Sequence, residues 1–216
     1  MLLWILLPAA QADPYFFRLH GGLSGLAGPN PEAASGYHAG DAAEPFVADG
    51  PSLGGGVLGR VTVHGERFAF DTSAREILSQ EDTRLVGALF IGARYTPPSP
   101  LHLRLGFAHN HETPIDVFRA APVASVFGTA EGIRHRSGIE VGVGASTGVG
   151  EAWSFLGPLH ERLGFEADLG VAWIPDHQGP HTYVYLDLTG SFGVVDNPFS
   201  GAGGARPAAS ATPRYR

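Results

Sequence analysis

Two pairs of side chains that are able to transfer protons or bind a metal ion lie within residues 109–137. His109 is followed two positions later by His111, and His135 is followed two positions later by Ser137. Residues at this spacing project from the same face of a β-strand, so each pair presents its side chains together. An imidazole beside a hydroxyl is suited to nucleophilic catalysis, which makes His135 and Ser137 the candidate catalytic residues.

His109 and His111 are the candidate metal ligands, because two imidazoles on one face can bind the same ion. A third ligand would come from His135, His177 or His181. The sequence around Glu112 does not continue as HExxH, which excludes zincin chemistry. The glycine-rich residues 142–150 lack the lysine of a phosphate-binding loop, and no organic cofactor is predicted.

The segments that carry these residues have the pattern of β-strands. From residue 162 to 195, apolar and polar side chains alternate, which indicates two long strands joined by a turn at residues 176–180. The same alternation recurs upstream and gives about eight strands between residues 14 and 195. The 31 glycines and 17 prolines argue against a helical bundle. The predicted fold class is all-β, an eight-stranded antiparallel up-and-down transmembrane β-barrel.

The connections between the predicted strands differ in length at the two ends of the barrel. Long connections are predicted at residues 24–51, 73–83, 113–129 and 176–180, the second of them a loop or a helical turn. Short turns are predicted at residues 64–66 and 97–100, whereas residues 146–161 are long where a short turn is expected. Long loops at one end and mostly short turns at the other are typical of outer-membrane barrels.

Charged side chains recur along the polar face of the predicted strands. All 14 basic residues are arginine, whose planar guanidinium suits dense bidentate pairing with carboxylates. Inside a narrow barrel such pairs would fill the lumen and leave no wide pore. The predicted lumen network consists of Arg94, Arg104, Arg134, Arg136, Glu140, Glu166, Asp168 and Asp187. Within it, Glu166 and Asp168 are expected to pair with Arg134 or Arg136, the alternative being an acid/base pair.

Alternation alone does not fix the direction of the apolar face. A soluble periplasmic barrel would bury that face around an apolar ligand and show the same period. The density of arginine and carboxylate on the polar face favours a charged lumen, with the apolar face in contact with outer-membrane lipid.

The two ends of the sequence and its composition restrict location and partners. Residues 1–12 fit a signal peptide with a small-residue cleavage site, and residues 197–216 have the composition of a disordered tail, which leaves 13–196 for the barrel. The absence of cysteine excludes disulfides and thiolate metal sites. A net charge of −7 gives no basic footprint for nucleic acid.

In its strand plan from residue 14 to 195, the chain resembles the small eight-stranded outer-membrane proteins, among them the OmpA transmembrane domain and OmpX. The resemblance implies a monomer in the bacterial outer membrane with a structural or adhesive role. An extracellular ligand would then contact the loops at residues 24–51 and 113–129. These proteins usually end on an aromatic residue at the close of the last strand, whereas here residues 196–216 follow Val195.

His135-Arg136-Ser137-Gly138 resembles the His-x-Ser core of the lipid A 3-O-deacylase (PagL) family, whose catalytic His, Ser and Glu face the membrane. The resemblance implies a lipid A-directed esterase in which His135 takes the proton of Ser137. Gly138 stands where that family has Asn, and no Glu occupies the expected position on the next strand. Whether the protein is an enzyme is left open beside two other functions, a structural or adhesive barrel and a soluble periplasmic barrel that binds an apolar ligand.

Overall fold

Alternating side chains build a closed β-barrel in the computed structural model. The structure describes residues 15–29, 51–79, 84–97, 99–149, 151–175 and 181–196. The strands are β1 Tyr15–Pro29, β2 Pro51–His64, β3 Phe68–Ser79, β4 Arg84–Tyr95, β5 Leu101–Pro114, β6 Arg134–Gly148, β7 Leu163–Ile174 and β8 His181–Asp196. Each strand pairs antiparallel with the next, and β8 pairs with β1 to close the barrel. The predicted fold class is confirmed.

The strands are long enough to cross a membrane. They contain 12 to 16 residues each, whereas a tilted transmembrane strand needs about 9 to 11. Pairing with both neighbours satisfies the backbone N–H and C=O groups of every strand, and closure removes the free edges that lipid does not tolerate.

The apolar face points outward. Leu105 is 59% exposed and Leu188 is 53% exposed, whereas Arg75 and Arg94, on the opposite face of the sheet, are buried. This arrangement is the reverse of a water-soluble barrel, which places its aliphatic side chains inside. The predicted sidedness is confirmed, and the alternative of a soluble barrel with an apolar interior is wrong.

Parts of two predicted loops are strand. Residues 24–29 belong to β1, and residues 73–79 belong to β3. The second segment lacks clear alternation because Glu76 is a polar residue on the outward face. In the barrel, both segments are held by register with their neighbours, such as Arg75 opposite Leu58, and this long-range pairing is invisible in the local sequence.

The two ends of the barrel carry different connections. We call the turn end the one formed by residues 65–67 and 96–100 together with a 3₁₀ segment, Glu151–Arg162. We call the opposite end the loop end. There, residues predicted as a loop form two short helices between β5 and β6, α1 Ile115–Ala120 and α2 Pro122–Val126.

Several predictions fall on parts of the chain outside the described residues. They are the signal peptide at 1–12, the tail at 197–216, the turn at 176–180 with His177, and most of the loop at 24–51. Among the residues that the structure describes, no helix has the length and hydropathy to span a membrane, a result that does not bear on membrane β-barrels.

Candidate functional site

The centre of the lumen holds a dense network of ion pairs. Arginines from β2 to β5 meet carboxylates from β3, β6, β7 and β8. The members are Arg60, Arg75, Arg94 and Arg104 with Asp71, Glu140, Glu166, Asp168 and Asp187, all of them buried. Each of these carboxylates lies within salt-bridge distance of at least one of the four arginines. The lumen is therefore plugged by charge-paired side chains.

Arg75 shows how these pairs are built. Its Nη1 and Nη2 donate to the two carboxylate oxygens of Glu140 at 3.0 and 2.9 Å. Its Nε and Nη2 also donate to Asp187, at 3.1 and 2.8 Å, and its guanidinium carbon lies 4.4 Å from the ring centroid of Tyr185. Two bidentate contacts and an aromatic face use the planar fork of arginine in a way that lysine does not match.

A second layer of the lumen lies nearer the loop end, where tyrosine and asparagine side chains stand beside the Arg136–Glu112 pair. Tyr183 donates its hydroxyl to Glu112 at 2.7 Å, and Arg136 lies 3.5 Å from the same carboxylate. Asn110 donates its amide to the Tyr185 hydroxyl at 2.9 Å. Hydrogen bonds of the tyrosine hydroxyls thus link neutral and charged side chains in this layer.

Most of the predicted lumen network lies where it was expected, but its pairing differs. The structure buries Arg94, Arg104, Arg136, Glu140, Glu166, Asp168 and Asp187 in the lumen. The side chain of Arg134 lies outside the part of the chain that the structure describes. Glu166 and Asp168 pair with Arg60 and Arg94 instead of Arg136, because Arg136 lies on the loop-end half of β6 and contacts Glu112 there.

Three potential metal ligands meet in the lumen, and arginine already neutralises them. The ligand atoms of His102, Glu166 and Asp168 lie within 4.8 Å of one another. Arg60 Nη1 donates to Asp168 at 2.6 Å, and Arg94 donates through both Nη atoms to Glu166. A cation at this position would have to displace guanidinium groups, so these residues serve packing and not metal binding.

On the outer wall, near the loop end, β5 and β6 bring a serine and a histidine together. Ser137 is paired in register with His109, so the two side chains stand next to each other on the lipid-facing side. The Ser137 hydroxyl lies 2.9 Å from His109 Nδ1. His109 Nε2 lies 3.1 Å from His135 Nδ1. The result is a hydrogen-bonded chain from hydroxyl to imidazole to imidazole.

The order of this chain differs from the predicted one. His135 was expected to take the proton of Ser137, yet the two residues lie two apart on one strand, roughly 7 Å along it. The cross-strand neighbour His109 is closer and makes the contact. With its proton on Nε2, His109 donates to His135 and presents Nδ1 as the acceptor for the serine proton.

A carboxylate that the sequence did not point to lies in the next row of the same wall. Glu76, Gly87, His111 and His135 are consecutive partners across β3 to β6. His111 Nε2 lies 3.8 Å from Glu76 Oε1, and a Cβ on Gly87 would overlap the His111 ring. The sequence pattern does not assign residues 73–79 to a strand, so it does not place Glu76 on the outer wall. With that assignment Glu76 would stand out, because a Glu in a lipid-facing row is unusual.

Apolar surface surrounds the histidine and serine side chains. Phe107 stacks beside His109 with ring centroids 6.3 Å apart, and Ile139 is 53% exposed just below Ser137. Gly128 lies close to the same rings, because a Cβ on it would come within 3.1 Å of His135 and 3.3 Å of His111. The cluster, which we call the outer histidine cluster (His109, His111, His135, Ser137 and Glu76), thus lies at the upper edge of the apolar band.

The structure places the predicted metal ligands side by side without joining them in one ligand set. Both ring nitrogens of His109 face protein partners, Ser137 and His135. His111 directs Nε2 towards Glu76 instead. His181, a suggested third ligand, is buried on the opposite, lumen-facing side of the wall. Metal binding by His109 and His111 therefore stays a prediction that needs a rotation of His109.

Comparison with known proteins finds similar solved structures at low sequence identity. No protein-family model matches the chain, and no curated protein matches it. Neisserial surface protein A matches over 82% of this chain and 97% of its own, with a TM-score of 0.48 and 10% identity. Ail, the attachment invasion locus protein of Yersinia pestis, matches over the same shares with a TM-score of 0.41 and 10% identity. At this identity the likeness concerns the fold alone.

Proposed function

We propose that the protein is a monomeric integral barrel of a bacterial outer membrane with a structural or adhesive role. The observation that supports this most directly is the sidedness of the wall. Leucine, valine and phenylalanine are exposed around the barrel, while the charged side chains are buried in its lumen. Exposed apolar surface on this scale is stable only against lipid.

The location is tested by fractionation and by electrophoresis with and without boiling. A folded membrane barrel resists the detergent of the gel, so the unboiled protein should migrate differently from the boiled protein and should be found in the outer-membrane fraction. Recovery in the soluble periplasmic fraction, with one mobility under both conditions, would reject the proposal.

Because the lumen is plugged, we place any binding role at the loop end. Ion pairs fill the interior, so passage of a solute through the barrel is not supported. At the loop end, Val123 on α2 and Phe127 just after it are 71% and 76% exposed. Apolar side chains presented outside the barrel wall are suited to contact a surface or a partner protein.

The adhesive role is tested by replacing these two side chains. Cells that express the V123S/F127S variant should attach to polystyrene less than cells with the natural chain at equal surface expression. The matched control is Phe155→Ser, because Phe155 is equally exposed but lies at the turn end. Equal attachment of all three strains would count against the adhesive role.

A second candidate function is supported by the Ser137, His109 and His135 chain of hydrogen bonds. This function is hydrolysis of a lipid ester, and the resemblance of residues 135–138 to the lipid A 3-O-deacylases suggests lipid A as the substrate. The site opens onto the apolar band, where an acyl chain in the outer leaflet would reach it.

The chemistry follows from the contacts. As Ser137 Oγ attacks the ester carbonyl, its proton passes to His109 Nδ1, and His109 then returns a proton to the departing alcohol. Water enters by the same route and releases the fatty acid, so that one ester and one water give one acid and one alcohol. His135 is a positioning residue, because its Nδ1 accepts a hydrogen bond from His109 Nε2–H and fixes the orientation of the ring.

The esterase is tested with purified barrel in mixed micelles that contain lipid A. Ser137→Ala and His109→Ala should each lower fatty-acid release by about 10²–10⁴-fold. Thr147→Ala is the matched control, since Thr147 is a hydroxyl on the outward face of the same strand at the turn end. No release by the natural chain, or no difference between Ser137→Ala and Thr147→Ala, would reject this function.

A further inference from the structure

An apolar groove lies on the outside of the barrel at the turn end. Its volume is about 530 Å³. The barrel wall contributes Leu19, Phe165 and Phe192, and the connection between β6 and β7 contributes Val149 and Trp153. The groove is thus bounded by β1, β7 and β8 on one side and by the 3₁₀ segment on the other.

A pair of glycines creates the depth of this groove. Gly21 on β1 and Gly190 on β8 are partners in register and both line the groove. A Cβ on Gly21 would meet no atom within 4 Å, which means that the space above it is open. The neighbouring positions Leu19 and Phe192 carry large side chains, so the glycines leave a channel between them.

The 3₁₀ segment has the composition of a membrane-interface element. Trp153 and Phe155 stack with ring centroids 5.9 Å apart and are 41% and 76% exposed. Aromatic rings at the ends of membrane strands lie at the headgroup level. Outer-membrane barrels place their short turns in the periplasm, so the groove faces the inner leaflet, which is made of phospholipid.

The side chain of one arginine, Arg162, lies next to the groove at this level. Arg162 directly precedes Leu163, which lines the groove, and its Nη1 donates to the carbonyls of Gly193 and Val194 beside Phe192. Its carboxylate contact, to the exposed Asp196 at 3.7 Å, lies at the barrel rim. Guanidinium groups are the preferred protein partners of phosphate, and about a third of this side chain is exposed.

We propose that the groove between the 3₁₀ segment and the Gly21–Gly190 seam binds one inner-leaflet phospholipid. An acyl chain occupies the channel, and Arg162 contacts the phosphate. The proposal rests on the proposed membrane location, and it adds a specific lipid site that the location alone does not require.

The test uses the full chain purified from membranes in mild detergent and measured by native mass spectrometry with added palmitoyl-oleoyl-phosphatidylglycerol. The natural chain should retain one lipid per barrel. Gly21→Leu should fill the channel and weaken retention by about tenfold or more. Gly55→Leu is the matched control, because Gly55 is also exposed on the outer wall, its Cβ would also meet nothing within 4 Å, and it does not line the groove. This control should bind lipid like the natural chain.

A second variant tests the phosphate contact. Arg162→Gln should lower retention of phosphatidylglycerol while leaving heat-modifiability intact, whereas unchanged retention would overturn the role of Arg162.

Other occupants would give different results. Equal loss in Gly21→Leu and Gly55→Leu, or equal retention in both, would overturn the groove as a specific site. A shift of the natural chain from dimer to monomer in Gly21→Leu would show that a second copy fills the groove. If fractionation finds the protein outside the membrane, the proposed location fails; a membrane-located barrel without a retained lipid fails the groove alone.

Discussion

The lumen and the outer histidine cluster both contain several titratable side chains, but the two regions differ in how many bonding partners these side chains have. In the lumen, Arg75 binds two carboxylates at once, and Arg94 binds Glu166 through both Nη atoms. On the outer wall, Ser137 and His109 share a single hydrogen bond and remain open to the lipid side.

This difference distinguishes a region that stabilises the fold from a region that is open to a substrate. A saturated ion pair in a closed space has no acceptor left for a substrate, and removing one partner leaves an uncompensated buried charge. A hydroxyl that is hydrogen-bonded to a neutral imidazole on the outer wall contributes little to folding stability, but a substrate carbonyl can reach it. The two regions should therefore respond very differently to substitution.

The largest expected effect is in the lumen. Arg75→Leu strips Glu140 and Asp187 of a shared cation and should lower the free energy of unfolding by about 3–5 kcal/mol. Guanidinium titration of the refolded barrel, followed by tryptophan fluorescence, measures the change. The control is Arg67→Leu, because Arg67 is exposed in the turn between β2 and β3. A smaller loss of unfolding free energy in Arg75→Leu than in Arg67→Leu would mean that the ion-pair network does not stabilise the barrel.

The outer wall itself should give the next effect, and it should depend on depth. Val141→Arg, in the middle of the apolar band, should cost about 2–4 kcal/mol in lipid, whereas Leu101→Arg near the turn end should cost about 0–1 kcal/mol. Both side chains are about half exposed. Equal costs for the two variants in vesicles of phosphatidylcholine would contradict a membrane-spanning wall.

The second layer of the lumen, nearer the loop end, should give a smaller effect. Tyr185→Phe removes the hydroxyl that accepts a hydrogen bond from Asn110 and should cost about 0.5–1.5 kcal/mol in the same titration. A cost that matches Arg75→Leu would show that hydrogen bonds and ion pairs contribute alike to the plug.

The smallest effect on stability is expected at the outer histidine cluster. Ser137→Ala should change the free energy of unfolding by no more than about 0.5 kcal/mol, as is usual for exposed positions. Melting of the barrel in detergent checks this value. A loss above 2 kcal/mol would mean that the cluster is a structural element, and the esterase candidate would lose its support.

Most of the fold is predictable because the alternation of apolar and polar side chains is present in the sequence of each strand. The pattern from residue 162 to 195 predicts β7 and β8 within about two residues, and the long and short connections predict two different ends. Residues 73–79 were missed because their polar outward residue, Glu76, breaks the pattern, and Arg75 was therefore absent from the predicted lumen network.

The candidate site was predicted in its members and not in its connections. Spacing along one strand placed His135 and Ser137 on the same face, and this holds in the barrel. Which imidazole touches the hydroxyl depends on the register between β5 and β6, which no local pattern encodes.

By itself, the sequence determined a closed sheet with one apolar face, because period-two alternation and turn residues are local properties. Only the tertiary structure decided which carboxylate receives which arginine, and that Glu76 and His109 join the serine and histidine pair. These outcomes depend on contacts between residues far apart in the chain, and the distance between two side chains is fixed only once the barrel closes.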